Sequence, residues 1–66
     1  MNIPYFCAFH PVTRRFLCVA GEVDGALAGV SRALRPVVRV AKFETRGEFY
    51  PNFVANRMPE GVEIVA

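Results

Sequence analysis

Tryptophan is absent from this 66-residue chain, and histidine, serine and lysine occur once each, as His10, Ser31 and Lys42. Covalent acid–base catalysis needs a nucleophile, a base and an orienting group within hydrogen-bond reach of one another. Here the only imidazole stands beside Pro11 at a turn with no acid near it in sequence, and the only serine falls on an expected helix. The carboxylates Glu22, Asp24, Glu44, Glu48, Glu60 and Glu63 are scattered and read as helix-dipole partners and solvated surface. No catalytic residue is expected, and the chain reads as a non-enzyme. Its two cysteines, Cys7 and Cys18, have neither the CxxC spacing nor the histidines of a metal site, so no metal and no cofactor are expected.

Long apolar runs are missing too. No stretch approaches the roughly 20 residues of a membrane-spanning helix. The start, Met1 to Phe6, carries no basic segment, and its apolar run is interrupted by Pro4 and ends at His10. A cytoplasmic location without a membrane partner is the expectation, in a host's cytoplasm if the gene travels on a phage or plasmid. A strong charge of one sign is also lacking. Eight basic against six acidic residues leave +2, too even a balance to imply a polyanion partner on its own. All the basic residues except Lys42 are arginines. That bias suits bidentate contacts at an interface, although a GC-rich gene gives the same composition.

What is present argues for folding. At 53% hydrophobic and 21% charged, the chain lies outside the composition of disordered segments. It is expected to form a single domain over residues 1–66, its core built on six Phe, two Tyr and many Val. A chain of this size buries only about 60% of its unfolded surface, which predicts marginal stability.

Two strands are predicted, Ile3 to Phe9 and Phe16 to Ala20, both apolar on both faces. Pro11 suits the first central position of a type I turn, giving a hairpin with the loop Pro11 to Arg14. That register sets His10 opposite Arg15, Phe9 opposite Phe16, Cys7 opposite Cys18 and Tyr5 opposite Ala20. Facing thiols make a cross-strand disulfide conceivable, while a reducing cytoplasm favours cysteine as a small buried hydrophobe. A helix is predicted next, capped by Asp24 and stopped by Pro36, with Val23, Leu27, Val30 and Leu34 on one face. Gly25 and Gly29 in it have GxxxG spacing, which suits close packing on a sheet or a helix-to-helix contact in a dimer.

Val37 to Phe43 reads as a third strand, its Arg39 and Lys42 fitting an edge position. Strand, helix and strand then form a crossover unit, right-handed if both strands share a sheet, with spatial order strand 2, strand 1, strand 3. Between Thr45 and Gly61, Pro51 is a candidate to open a short helix through Met58. There Phe49, Tyr50, Phe53, Val54 and Met58 recur at helical spacings, and Val62 to Val65 could add a strand. The fold class is therefore α+β, a small ββαβ domain with an antiparallel hairpin, one main crossover helix and a C-terminal short helix or fourth strand.

Strands apolar on both faces need two covers. One is the crossover helix; the other is either a partner or the chain's own segment Phe49 to Met58. Surplus apolar area on a scaffold without catalytic groups points to a protein-binding module, with a homodimer as one option. Its size and lack of catalytic groups fit the broad class of small inhibitors carried by mobile elements, of which anti-CRISPR proteins are one group, although no residue carries that resemblance. The contact candidates are Arg14 and Arg15 at the hairpin tip and Phe49 and Tyr50 in the late segment, since aromatic and Arg side chains are enriched at binding hot spots. The alternative is a nucleic-acid-binding module using Arg32, Arg35, Arg39, Lys42 and Arg46, with Phe49 and Tyr50 as stacking platforms.

Overall fold

A computed structural model describes residues 3–66. It contains β1 (Tyr5–Phe9), β2 (Phe16–Ala20), α1 (Val23–Ala28), β3 (Arg39–Phe43), α2 (Arg46–Ala55) and β4 (Glu63–Ile64). The four strands form one antiparallel sheet in the order β2-β1-β3-β4. This is a small α+β domain. Since β2 and β3 both run antiparallel to β1, they are parallel to each other, and the segment carrying α1 crosses over β1 to join them.

The side chains of a strand alternate between faces, and the core divides accordingly. On one face Ala8 and Val40 are buried with Ala26 and Val30 from the α1 segment, and Phe6, Cys18, Val23 and Leu27 pack around them. On the other face Cys7, Phe9, Ala41 and Phe43 are buried with Phe49 and Met58. The second cover is thus the chain's own late segment. Tyr5 stacks on Phe49 with ring centroids 4.3 Å apart, and Phe16 meets Phe49 and Phe53 edge-on at 6.2 and 5.7 Å. Each aromatic pair adds about 0.5 to 1.5 kcal/mol beyond the burial of its area.

The hairpin register departs from the expected one. His10 N–H donates to the Arg15 carbonyl at 3.1 Å, and Phe9 faces Phe16, but the pairing then shifts by one residue. Leu17 is the extra residue of a β-bulge, so Ala8 faces Cys18, Cys7 faces Val19 and Phe6 faces Ala20. The two thiols consequently belong to opposite faces and are free. Facing thiols are ruled out by the bulge, which loop length alone does not reveal.

The crossover helix is shorter than its apolar spacing suggests. Glu22 rather than Asp24 precedes its first residue and makes no side-chain cap, while Asp24 lies in the first turn. The helix stops at Gly29, and residues 31–37 continue as turns, with Leu34 N–H and Arg35 N–H both donating to the Ser31 carbonyl at 3.1 Å. Two features explain the stop. A Cβ at Gly29 would overlap Cys18 Sγ as it stands, so the chain approaches β2 closely there. Arg35 Nε also donates to the Leu27 carbonyl at 3.1 Å, satisfying an acceptor that a longer helix would use itself.

The third strand begins at Arg39 and is interior rather than an edge, because the C-terminus adds β4 beside it. Ala41 faces Ile64, and Val40 exchanges 2.8 Å hydrogen bonds with Val65 and Ala66. The late helix begins at Arg46, ahead of Pro51, which lies inside it. Thr45 Oγ1 accepts from Glu48 N–H at 3.3 Å. Thr45-x-x-Glu48 has the spacing of a capping box, a stronger start signal than the proline. Asn56 ends the helix in left-handed conformation, φ 53°. Its N–H bonds to Phe53 O and that of Arg57 to Asn52 O, closing a Schellman motif.

Candidate protein-binding surfaces

Of the four contact candidates, two are committed to the fold. Arg14 occupies the last loop position with φ 63°, and its N–H donates to the His10 carbonyl at 2.7 Å. Its own carbonyl accepts from Met58 N–H at 2.6 Å, while Nε and Nη2 donate to the carbonyls of Met58 and Pro59 at 3.1 and 2.7 Å. The guanidinium also lies 5.2 Å from the centroid of the Phe9 ring. Arg14 therefore ties the hairpin to the segment that covers the sheet. Phe49 is only 7% exposed and sits at the centre of the aromatic cluster, so it offers a partner nothing while the domain is folded.

Arg15 and Tyr50 are the two that remain in solvent. Tyr50 is 49% exposed, and the Arg46 guanidinium lies 5.2 Å from its ring centroid. Val54, one helical turn on, is 66% exposed. Arg46, Tyr50 and Val54 follow one another at i, i+4 spacing along the outer side of α2. The late aliphatic and aromatic residues thus split between two directions, with Phe49 inward and Tyr50 and Val54 outward. Phe53, 44% exposed, lies between. Only the helix phase, set by Thr45, distinguishes them, and a helix beginning at Pro51 gives no phase for Phe49 or Tyr50.

The basic stretch does not converge on one surface. Arg35 is spent on the Leu27 carbonyl, Lys42 pairs with Glu44 at 3.3 Å and lies over Phe6, and Arg46 stacks on Tyr50. Arg39 faces Phe9 and Lys42 faces Phe6, so they point to opposite sides of the sheet. Arg32 is exposed in the turn segment after α1. Arg39 and Lys42, on opposite sides of the sheet, do not line one groove.

His10 is also structural: its Nδ1 accepts from Val12 N–H at 3.2 Å, an interaction within the turn. Cys7 is fully buried, and burial first, with Cys18 nearby second, pushes its thiol up to about 12. A thiol in that state is protonated and inert near neutral pH. Among the described residues no group of three His, Cys, Asp or Glu could hold a metal ion. The carboxylates are less scattered than their sequence positions suggest, since Glu44, Glu48, Glu60 and Glu63 line one groove beside Lys42. No helix of the described residues is long and apolar enough to cross a membrane.

Sheet order creates one more exposed element. Among the described residues β2 lies at the edge of the sheet with its outer side unpaired. Leu17 is 39% exposed, and with Phe16, Val19, Phe53 and Asn56 it lines a shallow depression along that edge. Comparison with protein-family models, curated proteins and solved structures gave no match.

Proposed function

We propose that this chain is a small non-catalytic protein-binding module that meets its partner through the outer side of α2. The observation that carries this reading is the exposed Arg46–Tyr50–Val54 stripe, where an aromatic and an aliphatic side chain stand in water on successive turns of one helix. Tyr and Arg combine a large contact area with directional hydrogen bonds, the chemistry enriched at binding hot spots. The structural engagement of His10 and the burial of Cys7 support a role by contact rather than by reaction. Its size suits an inhibitor of a larger complex, of the kind carried by mobile elements such as the anti-CRISPR proteins.

Affinity capture from the cells that carry the gene tests the reading. The native chain is expected to retain a stoichiometric partner that Tyr50→Ala loses and Arg32→Ala, altered at a distant exposed position, keeps. No stoichiometric partner, or equal capture by Tyr50→Ala, refutes it.

A further inference from the structure

We propose that the free edge of β2 pairs antiparallel with β2 of a second copy of this chain, joining two four-stranded sheets across a two-fold axis. The first support is the apolar edge. Exposed edges are ordinarily blunted by charge, proline, shortness or a bulge, and Phe16-Leu17-Cys18-Val19-Ala20 has only the bulge, with no charged residue and no proline. At the opposite edge β4 is only two residues long and includes Glu63. The bulge at Leu17 is the one irregularity of β2, and Asn56 Oδ1 already accepts the Phe16 N–H at 3.1 Å. Cys18 to Ala20 are left as the regular stretch open to pairing.

The second support is self-complementarity, the requirement of a two-fold interface. An axis normal to the sheet preserves its faces, so each residue must meet one that points the same way. Val19 belongs to the face covered by α2, and Cys18 and Ala20 to the face covered by α1. Centring the axis on Val19 satisfies this: Val19 meets Val19, and Cys18 meets Ala20. Beyond them Leu17 is the bulged extra residue, so Phe16 meets Gly21 and Arg15 meets Glu22. At Gly21 a Cβ would find nothing within 4 Å, which leaves room for the large side chain across from it.

Charge selects the occupant. Arg15 and Glu22 flank the apolar strand, both exposed, and the ion pair found among the described residues is Lys42–Glu44. Antiparallel copies bring each Arg15 beside the other copy's Glu22, twice per dimer. A parallel arrangement would set like against like, which is unfavourable across strands. The edge therefore fits its own reversed copy, and it lies apart from the Tyr50 stripe, so Tyr50→Ala is expected to leave the dimer intact.

Sedimentation equilibrium from low to high micromolar concentration tests the proposal, with far-UV circular dichroism to verify folding. The native chain is expected to dimerise. Arg15→Glu and Glu22→Arg are each expected to weaken the dimer by about 10-fold or more, since they place like charges together at two points, and the double reversal is expected to restore it. A native chain that stays monomeric at high micromolar concentration overturns the proposal and leaves the edge to a strand of another protein. A dimer insensitive to the single reversals, or not rescued by the double one, overturns it equally. Should a variant fail to fold, amide hydrogen exchange of the native chain decides: protection at Val19, whose N–H points away from β1 to the open edge, must rise with protein concentration, and protection independent of concentration refutes the pairing.

Discussion

Replacing Gly29 by alanine sets two effects of opposite sign against each other. The backbone there is ordinary right-handed, φ −82° and ψ −3°, so alanine meets no conformational obstacle. Removing glycine's freedom from the unfolded chain would by itself stabilise the domain by about 0.4 to 1 kcal/mol. Packing reverses the sign. The added Cβ would overlap Cys18 Sγ and stand 3.2 Å from Cys18 Cβ. The thiol turns about a single torsion and makes only a weak 3.9 Å contact with the Gly25 carbonyl, so it can swing aside and relieve part of the clash. Cys18 Cβ is fixed to β2 and can move only with the strand. Overpacking costs about 1 to 3 kcal/mol, and after the backbone gain a net loss of about 1 to 2 kcal/mol is expected.

A loss of that size is a large fraction of the roughly 3 to 10 kcal/mol available to a domain of this length. It lowers the melting temperature by about 5 to 15 °C. Urea unfolding followed by circular dichroism measures it, and a double-mutant cycle with Cys18→Ala assigns the cause. Without the Sγ atom, Gly29→Ala is expected to change stability by about 0.5 kcal/mol or less, leaving a coupling of about 1 kcal/mol or more between the two positions. Gly29→Ala as stable as the native chain refutes the close approach, and an equal loss in both backgrounds refutes the part assigned to the thiol.

Asn56 combines a left-handed backbone with a side-chain bond to Phe16 N–H. Asn56→Gly loses the bond alone and is expected to cost about 1 kcal/mol, whereas Asn56→Ala adds about 1 kcal/mol for the left-handed conformation; thermal melts showing the two variants equal would contradict this. Cys7 gives the domain an alkaline sensitivity. Its thiol is raised from 9.0 to about 12, so the folded chain keeps a proton that the unfolded chain loses. The associated stability is whole below about pH 9 and declines as the pH rises toward 12. Urea midpoints across that range should fall more steeply for the native chain than for Cys7→Ala, and parallel declines would refute the assignment.

Alternation and turn chemistry made most of the sheet legible in the sequence. The loop Pro11 to Arg14, the pairing of Phe9 with Phe16 and the assignment of Val38 and Val40 to one face follow from period two and from the properties of proline. The failures share a physical character. The Leu17 bulge, the stop at Gly29 and the role of Arg14 all depend on contacts between residues distant in sequence, to which local periodicity is blind. The start of α2 is different, because Thr45-x-x-Glu48 stood in the sequence and outranked Pro51 as a start signal. For the candidate surfaces, composition could nominate arginines and aromatics, but phase and topology decided which were free.

The bulge links these points. Strands apolar on both faces demand two covers, and the chain supplies both, with the α1 segment on one side and α2 with Met58 on the other. The apolar surplus that suggested a partner for a sheet face is therefore absorbed inside the domain. Some of it is not: Leu17, Tyr50, Phe53 and Val54 remain exposed. Leu17 is among them because it is the extra residue of β2, with no partner on β1. The same insertion turns Cys18 away from Cys7 and carries its thiol into the space that Gly29 leaves empty. It also sets the phase in which Arg15 and Glu22 come level across a two-fold axis at Val19; with regular pairing throughout, Arg15 would meet Val23 instead. One inserted residue thus separates the two thiols onto opposite faces and creates the condition for a self-complementary edge. The demand for a partner moves from the face of the sheet to its rim.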